Sequence, residues 1–395
     1  MLLEAMPCNA VDHGTPLGNE VWMKGPEDLA TVVYKPGSAQ FRKPVLNPGL
    51  PADLSQGQSL NRHITDSGKW MFSGSMEDDE SGEDHGRARA WKRNDKGEFE
   101  QVAEFWTCDE VSEPYAFQFD EENQVLYHIC SNYYGQFSAW NLAVNPPQLI
   151  STIEPGSSVS DALLLDNQLF LGGTLGNVYV YDLHGREKPT LKTTLKLGDQ
   201  IVTGLTFDPI GKTLYSTEAR GDKQIKVWDM RDLTKPRATL AASMREVVRT
   251  ELSRDRKYLA AASDENSRVL VWNTETLQPI AFNEHTGLIR DINFIGNTSI
   301  LATGSSNGDL KLWDVKNPDM PSVTFSPGLA RLIKNIATMP GSNEFIVETD
   351  KSKVFHYRLD SLDGILRRTC DALRAFLYHT RDTYPNQAAF CNSFQ

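Results

Sequence analysis

Apolar and polar residues alternate along most of this chain in short runs broken by Gly, Asn, Asp and Pro. GLIRDINF, SILATGS and DLKLWDV follow one another between Gly287 and Val315, and IVTGLTF, KTLYSTE and IKVWDM between Ile201 and Met230. A period of two with tight turns is the pattern of half-buried antiparallel strands, because successive side chains point to opposite faces. LQPIAFN before the first set and TLKTTLKL before the second each read as an additional outer strand, so the order of four strands repeats.

The repeat is explicit. The phrases ARAWKR, FSAWNL, VYVYDL, IKVWDM, VLVWNT, LKLWDV and VFHYRL carry aromatics at Trp91, Trp140, Tyr181, Trp228, Trp272, Trp313 and Tyr357, spaced 49, 41, 47, 44, 41 and 44 residues apart. A period in the low forties that ends five of the seven units in an aromatic and an acidic or amide residue, and the first and last in Trp91-Lys92 and Tyr357-Arg358, predicts four-stranded blades arranged radially. One such sheet is marginal alone, and blade faces must stack to build a core. On these residues, including the dipeptides Trp228-Asp229 and Trp313-Asp314, the chain resembles the WD-repeat β-propellers. The resemblance implies an all-β, seven-bladed propeller.

The expected organisation has three parts. Residues 1–58 form an irregular, Pro- and Gly-rich N-terminal arm that includes a ring-closing strand, residues 59–360 the propeller, and residues 361–395 a C-terminal helix and tail. Members of the resembling family close the ring with an N-terminal strand, and two stretches within Thr31 to Leu46 (TVVYK and QFRKPVL) are the candidates here. An eighth blade is rejected, since the position 44 residues before Trp91 falls near Asn47, where no aromatic strand end exists. In Ser361 to Arg381, Leu362, Ile365, Leu366, Thr369, Leu373, Phe376 and Leu377 recur at helical spacing. That stripe either packs on the propeller's side or docks a partner.

Composition narrows the function classes. Lys plus Arg total 40 against 52 for Asp plus Glu, a net charge of −12, which argues against a surface that binds nucleic acid or acidic membranes throughout. Cys8, Cys108, Cys130, Cys370 and Cys391 are odd in number and scattered, without a CxxC pair. They read as reduced thiols of an intracellular protein, cytoplasmic or nuclear. The first ten residues, MLLEAMPCNA, lack the basic and apolar regions of a signal peptide, and no apolar run is long enough to span a membrane.

Catalytic motifs are scarce. HExxH, a P-loop, a dinucleotide glycine fingerprint and zinc-spaced cysteines are all missing, so neither a cofactor nor a metal is expected. Gly304-Ser305-Ser306-Asn307-Gly308 matches the G-x-S-x-G pattern, but it joins two strands rather than leading into a helix and reads as a hairpin turn. The resemblance also implies a buried hydrogen-bonded set within each blade. Blade 6 supplies His285, Ser305 and Trp313, with Asn307 in place of Asp, while blade 5 supplies Asp264 and Trp272 without a His. His285 is accordingly a core histidine rather than a catalyst.

Propellers of this kind bind partners on the face where the inner strands begin. Aligning inner strands on Ile292 and its equivalents produces one ring of Arg62, Tyr115, Ser160, Thr203, Arg249, Arg290 and Lys334. Arg249, Arg290, Lys334 and Arg62 fall on blades 5, 6, 7 and 1, which are consecutive, so they predict a cationic crescent. Two residues earlier stand Leu60, Val247, Leu288 and Leu332 as an apolar floor. Cations beside apolar groups suit a protein partner presenting an acidic or phosphorylated segment, with local carboxylates such as Asp291, Asp161 or Glu251 as competing partners.

Glu77-Asp78-Asp79-Glu80-Ser81-Gly82-Glu83-Asp84 places six carboxylates in eight residues on the same face. It reads as a solvated loop or as an internal mimic that covers the crescent, while a calcium site is disfavoured because the run lacks the alternating ligand spacing of a known loop. The favoured function is a non-catalytic scaffold held in a hetero-complex by its tails. One alternative is a propeller enzyme of hydrolase or lactonase type, for which His63, Asp161 and Asp291 could hold a metal, although they lie on blades 1, 3 and 6. The other is RNA or single-stranded DNA on the crescent, disfavoured because Tyr115 alone offers a stacking ring.

Overall fold

A computed structural model describes residues 30–33, 58–65, 67–78, 82–95, 99–108, 112, 114–130, 135–184, 188–219, 224–241, 247–263, 267–319, 323–325, 332–339, 342–350 and 354–360. They form seven four-stranded sheets. The inner strands, in blade order, are Gln58–Ile64, Pro114–Asp120, Val159–Leu165, Val202–Asp208, Val247–Leu252, Ile289–Phe294 and Ile333–Thr338. Blades 1 to 6 are antiparallel meanders. In blade 7, Ala30–Val33 pairs in parallel with Val354–Asp360, Ala30 opposite Tyr357, and supplies the outer strand of the last sheet. It begins one residue before the first of the two segments considered for that role. The predicted C-terminal helix lies outside the described residues.

Strand burial follows position in the sheet. The second strand of blade 6, Ile300–Ser305, is buried at every residue, because neighbouring sheets cover both of its faces. The outer strand of blade 3, Thr190–Lys196, is exposed at nearly every residue, and only Leu191 and Leu195 in it are apolar. The core therefore lies between blades. Ala260, Val271 and Phe282 of blade 5 pack on Ile289, Ile292, Leu301 and Trp313 of blade 6, and each such large side chain contributes roughly 1.5–3 kcal/mol on burial.

Two features differ from the sequence reading. LQPIAFN and TLKTTLKL are outer strands, but Pro279–Phe282 pairs in the sheet of blade 5 and Thr190–Lys196 in that of blade 3. Each repeat thus latches its first strand onto the preceding blade. The second feature is a β-bulge near the start of every inner strand, between Ser59 and Asn61, Tyr115 and Gln118, Val159 and Asp161, Val202 and Gly204, Val247 and Arg249, Ile289 and Asp291, and Ile333 and Asn335. An inserted residue re-aims its side chain and shifts everything before it by one face. Opposite the bulge, Gly74 and Gly304 let the next blade lie close, since a Cβ at Gly304 would sit 2.4 Å from Ile333 Cγ2 and one at Gly74 1.9 Å from the Pro114 carbonyl oxygen.

The buried set implied by the resemblance is present in blade 6 with a different hub. In blade 6, His285 Nε2 lies 2.6 Å from Thr303 Oγ1, and Trp313 Nε1 donates to that same oxygen at 2.8 Å. Ser305 instead bonds within the turn, to Asn307 and to the Asp309 carbonyl. The register explains the correction. Trp313 is opposite Leu301, which makes Thr303 its diagonal neighbour on one face. Blade 4 repeats this, with Trp228 opposite Leu214 and donating to Ser216 Oγ at 2.9 Å. Trp272 is buried in blade 5, and Asp264 lies outside the described residues. The Gly304–Gly308 segment is a turn closed by Gly308 N–H to the Ser305 carbonyl.

Candidate interaction face

The bulge residues occupy equivalent places around the mouth, and they do two different things. Ser160 Oγ donates to the Val202 carbonyl of the next blade, and Thr203 Oγ1 lies 3.4 Å from the Val247 carbonyl of the next blade and 3.2 Å from Thr217 Oγ1 of its own. Tyr115, beside the bulge of blade 2, donates its hydroxyl to the Val159 carbonyl at 2.5 Å, and burial raises its pKa. Tyr115 is thus a bond between blades 2 and 3 rather than part of an open rim. The same position in blades 6 and 7 is held by Arg290 and Lys334. Arg290 is exposed, Lys334 half-buried, and neither has an ion-pair partner among the described residues.

The predicted crescent is therefore narrower than the sequence alignment implied. Arg249 stands one residue past the bulge of blade 5, in the place Asp291 takes in blade 6, and Arg62 stands two past the bulge residue Leu60 in blade 1. Counting alternation alone cannot see an inserted residue, which is why the two strands slipped by one and two positions. Arg249 Nη1 lies 3.1 Å from Asp291 Oδ1, whose side chain is fully buried, while the Arg249 side chain remains 44% exposed. The Asp291 charge beside it raises the Arg249 pKa, and burial raises that of Asp291 against the pull of Arg249. Of the apolar floor, Leu288 is 38% exposed whereas Val247 is buried, and Leu332 is half-buried.

The carboxylates proposed for a channel metal are already engaged. Asp161 Oδ2 accepts the Leu205 N–H at 2.7 Å and Oδ1 the Ala162 N–H at 3.0 Å. Asp291 Oδ2 accepts the Ile336 N–H at 2.6 Å and Oδ1 the Ile292 N–H at 3.0 Å. These are buckles from blade 3 to 4 and from blade 6 to 7. Desolvation pushes the Asp161 carboxyl up to about 6, although the two N–H donors and the Arg249 charge oppose it. With His63 on a third blade, the set does not converge on one ion.

The acidic run is partly structural. Glu77 belongs to the second strand of blade 1 and accepts from Ser75 at 2.7 Å, Arg87 at 3.1 Å and Arg89 at 2.9 Å. Burial works against its charge, but those donors hold the carboxyl down at about 2. Glu104 of the outer strand completes the network with both arginines. Asp78 and Asp84 face each other across the two strands, and the bond between them raises the Asp84 pKa. Residues 79–81 lie outside the described residues.

The cysteines also depart from expectation. Cys108, which ends the outer strand of blade 1, and Cys130, which ends the second strand of blade 2, form a disulfide. Their sequence separation of 22 carries no recognisable spacing, and the propeller alone brings them together. Sequence reasoning missed this pair because it forms across a seam between sheets.

Comparisons with known proteins agree with this architecture. The family described as WD domain, G-beta repeat matches residues 190–229 and 277–314. Both spans begin at or just before the outer strand of one blade and end on the third strand of the next. The chain is 33% identical over 84 residues to the Saccharomyces cerevisiae protein "Target of rapamycin complex subunit LST8", covering 21% of this chain and 28% of that protein. It is 33% identical over 111 residues to the Arabidopsis thaliana "Transcriptional corepressor LEUNIG_HOMOLOG", covering 28% of this chain and 14% of that protein. The chain thus spans under a third of the length of either relative. Among solved structures, a chain of the "Crystal Structure of Mitotic Checkpoint Complex" matches at a TM-score of 0.60 and 14% identity, covering 84% of this chain and 100% of that one. Among the described residues, no helix is long and apolar enough to cross a membrane. Repeat, register and fold together are those of a seven-bladed β-propeller, with WD-type repeats matched over residues 190–229 and 277–314.

Proposed function

We propose that the chain is a non-catalytic interaction scaffold within an intracellular hetero-complex, and that it takes an acidic or phosphorylated segment of a partner protein at the mouth. One observation carries this reading. Arg290 and Lys334 hold the re-aimed bulge position on consecutive blades, where Ser160 bonds the neighbouring blade and Thr203 is shared between that blade and its own. Leu288 offers an exposed apolar group just before Arg290. Guanidinium and ammonium groups beside an apolar step suit a short anionic peptide, with Arg290 able to bind carboxylate or phosphate through two parallel bonds. The relatives named as complex subunit and corepressor support a scaffold, and the engagement of Asp161 and Asp291 in seams weighs against hydrolytic chemistry in the channel. Selection of a degenerate peptide library on the purified chain tests the reading. Enrichment of acidic or phosphorylated sequences, lost with Arg290→Glu and Lys334→Glu, is expected, and enrichment without anionic preference would refute it.

A further inference from the structure

The seam between blades 1 and 2 holds chemistry that the scaffold role leaves unused. Cys108 and Cys130 bring their Cα atoms within 5.6 Å. His128, two residues before Cys130 and fully buried, lies beside them with Nδ1 4.0 Å from Cys130 Sγ. One ligand atom from each of the three residues falls within 4.8 Å of the others. Two sulfurs and an imidazole are the donor set that soft and borderline metals such as zinc select over hard cations.

The outer contacts orient this set. His128 Nε2 lies 2.5 Å from Thr107 Oγ1. With Nε2–H donated to that hydroxyl, the Nδ1 lone pair is left on the side of Cys130 Sγ, the arrangement in which histidine ligands are usually held. The ligands come from two blades, Cys108 from the first and Cys130 with His128 from the second. A bound ion would therefore bridge the same seam as the disulfide.

We propose that Cys108, Cys130 and His128 form a Zn2+ site that alternates with the Cys108–Cys130 disulfide. Reduction breaks the S–S bond. Two molecules of a small thiol of the glutathione class supply two electrons and two protons, become joined as their own disulfide, and leave two cysteine thiols. Zn2+ then displaces both thiol protons to solvent and binds two thiolates and His128 Nδ1, with the fourth tetrahedral position taken by a small donor such as water. In a reducing compartment the seam is closed by metal, and in an oxidising one by the covalent bond.

The test uses the full chain and Co2+ as a spectroscopic substitute for zinc. Protein reduced by a phosphine under anaerobic conditions, then freed of reductant, should develop a thiolate-to-cobalt charge-transfer band that saturates at about one ion per chain. Zn2+ should displace it. The band should be missing from oxidised protein and from Cys108→Ser and Cys130→Ser, and Thr107→Val should weaken Co2+ binding about 10- to 100-fold. Reduced wild-type protein whose two thiols react with a thiol reagent, yet which shows no band, would overturn the proposal. So would a band that survives both serine variants. The comparison of reduced with oxidised wild type involves no substitution, so a misfolded variant cannot obscure the outcome.

Discussion

The bulge position around the mouth behaves oppositely on the two sides of the ring. In blades 3 and 4, Ser160 and Thr203 turn inward along the ring and bond the next inner strand. In blades 6 and 7, Arg290 and Lys334 occupy the same place without an ion-pair partner among the described residues. The contrast teaches that identical backbone geometry is used for cohesion where the side chain is a short hydroxyl, and is available for recognition where it is a long cation. Blades 6 and 7 are not thereby left unjoined. Asp291 and Asn293 reach to Ile336, and Asn293 also to Thr338, so this seam is held from further down the strand, where Asp161 likewise joins blade 3 to blade 4.

This comparison can be broken in several ways. The largest effect is expected from Asp291→Ala, which removes the acceptor of the Ile336 N–H and strands Arg249. A loss of about 3 kcal/mol in urea unfolding is expected, near the lower end for breaking a buried pair because Arg249 keeps some water. Glu77→Gln tests whether the acidic run is held to its own blade. Because the folded carboxyl titrates at about 2 against an ordinary 4.5, its stabilisation is complete above about pH 4.5 and disappears as the pH falls toward 2. The variant should lose roughly 2 kcal/mol at pH 7 and match the wild type near pH 2. A constant deficit at every pH would contradict the ion-pair account.

Smaller effects sharpen the contrast between the two sides of the mouth. Ser160→Ala and Thr203→Val should each cost about 1 kcal/mol, since each leaves a carbonyl at the seam without its hydroxyl donor. Arg290→Ala and Lys334→Ala should change stability by less than about 0.5 kcal/mol, as expected for side chains that make no seam bond. Equal costs on the two sides, measured by chemical denaturation, would erase the distinction.

Much of the fold was legible in the sequence, and the reasons are physical. Seven aromatics at similar spacing report seven copies of one packing solution, and alternation reports strands covered on one face or two. Which sheet owns the outer strand was not legible, because Pro279–Phe282 alternates the same way in either neighbour. The bulges were hidden as well. A single inserted residue leaves composition and local periodicity almost intact, yet it moved Arg249 into the Asp291 position and Arg62 two places from the rim. Thr303 and Ser305 lie on the same strand face, and only the opposite-strand register selects Thr303 as the partner of Trp313. The Cys108–Cys130 pair depends on how two sheets abut, which local sequence does not encode.

The most direct measurement of the central claim is the affinity of a library-selected anionic peptide for four proteins: wild type, Arg290→Glu with Lys334→Glu, Ser160→Ala, and Thr203→Val. The account predicts at least about a tenfold loss in the charge-reversed protein, whose thermal unfolding stays near that of the wild type, and unchanged affinity in the two hydroxyl variants. Affinity retained after charge reversal, or lost equally in the hydroxyl variants, would contradict it.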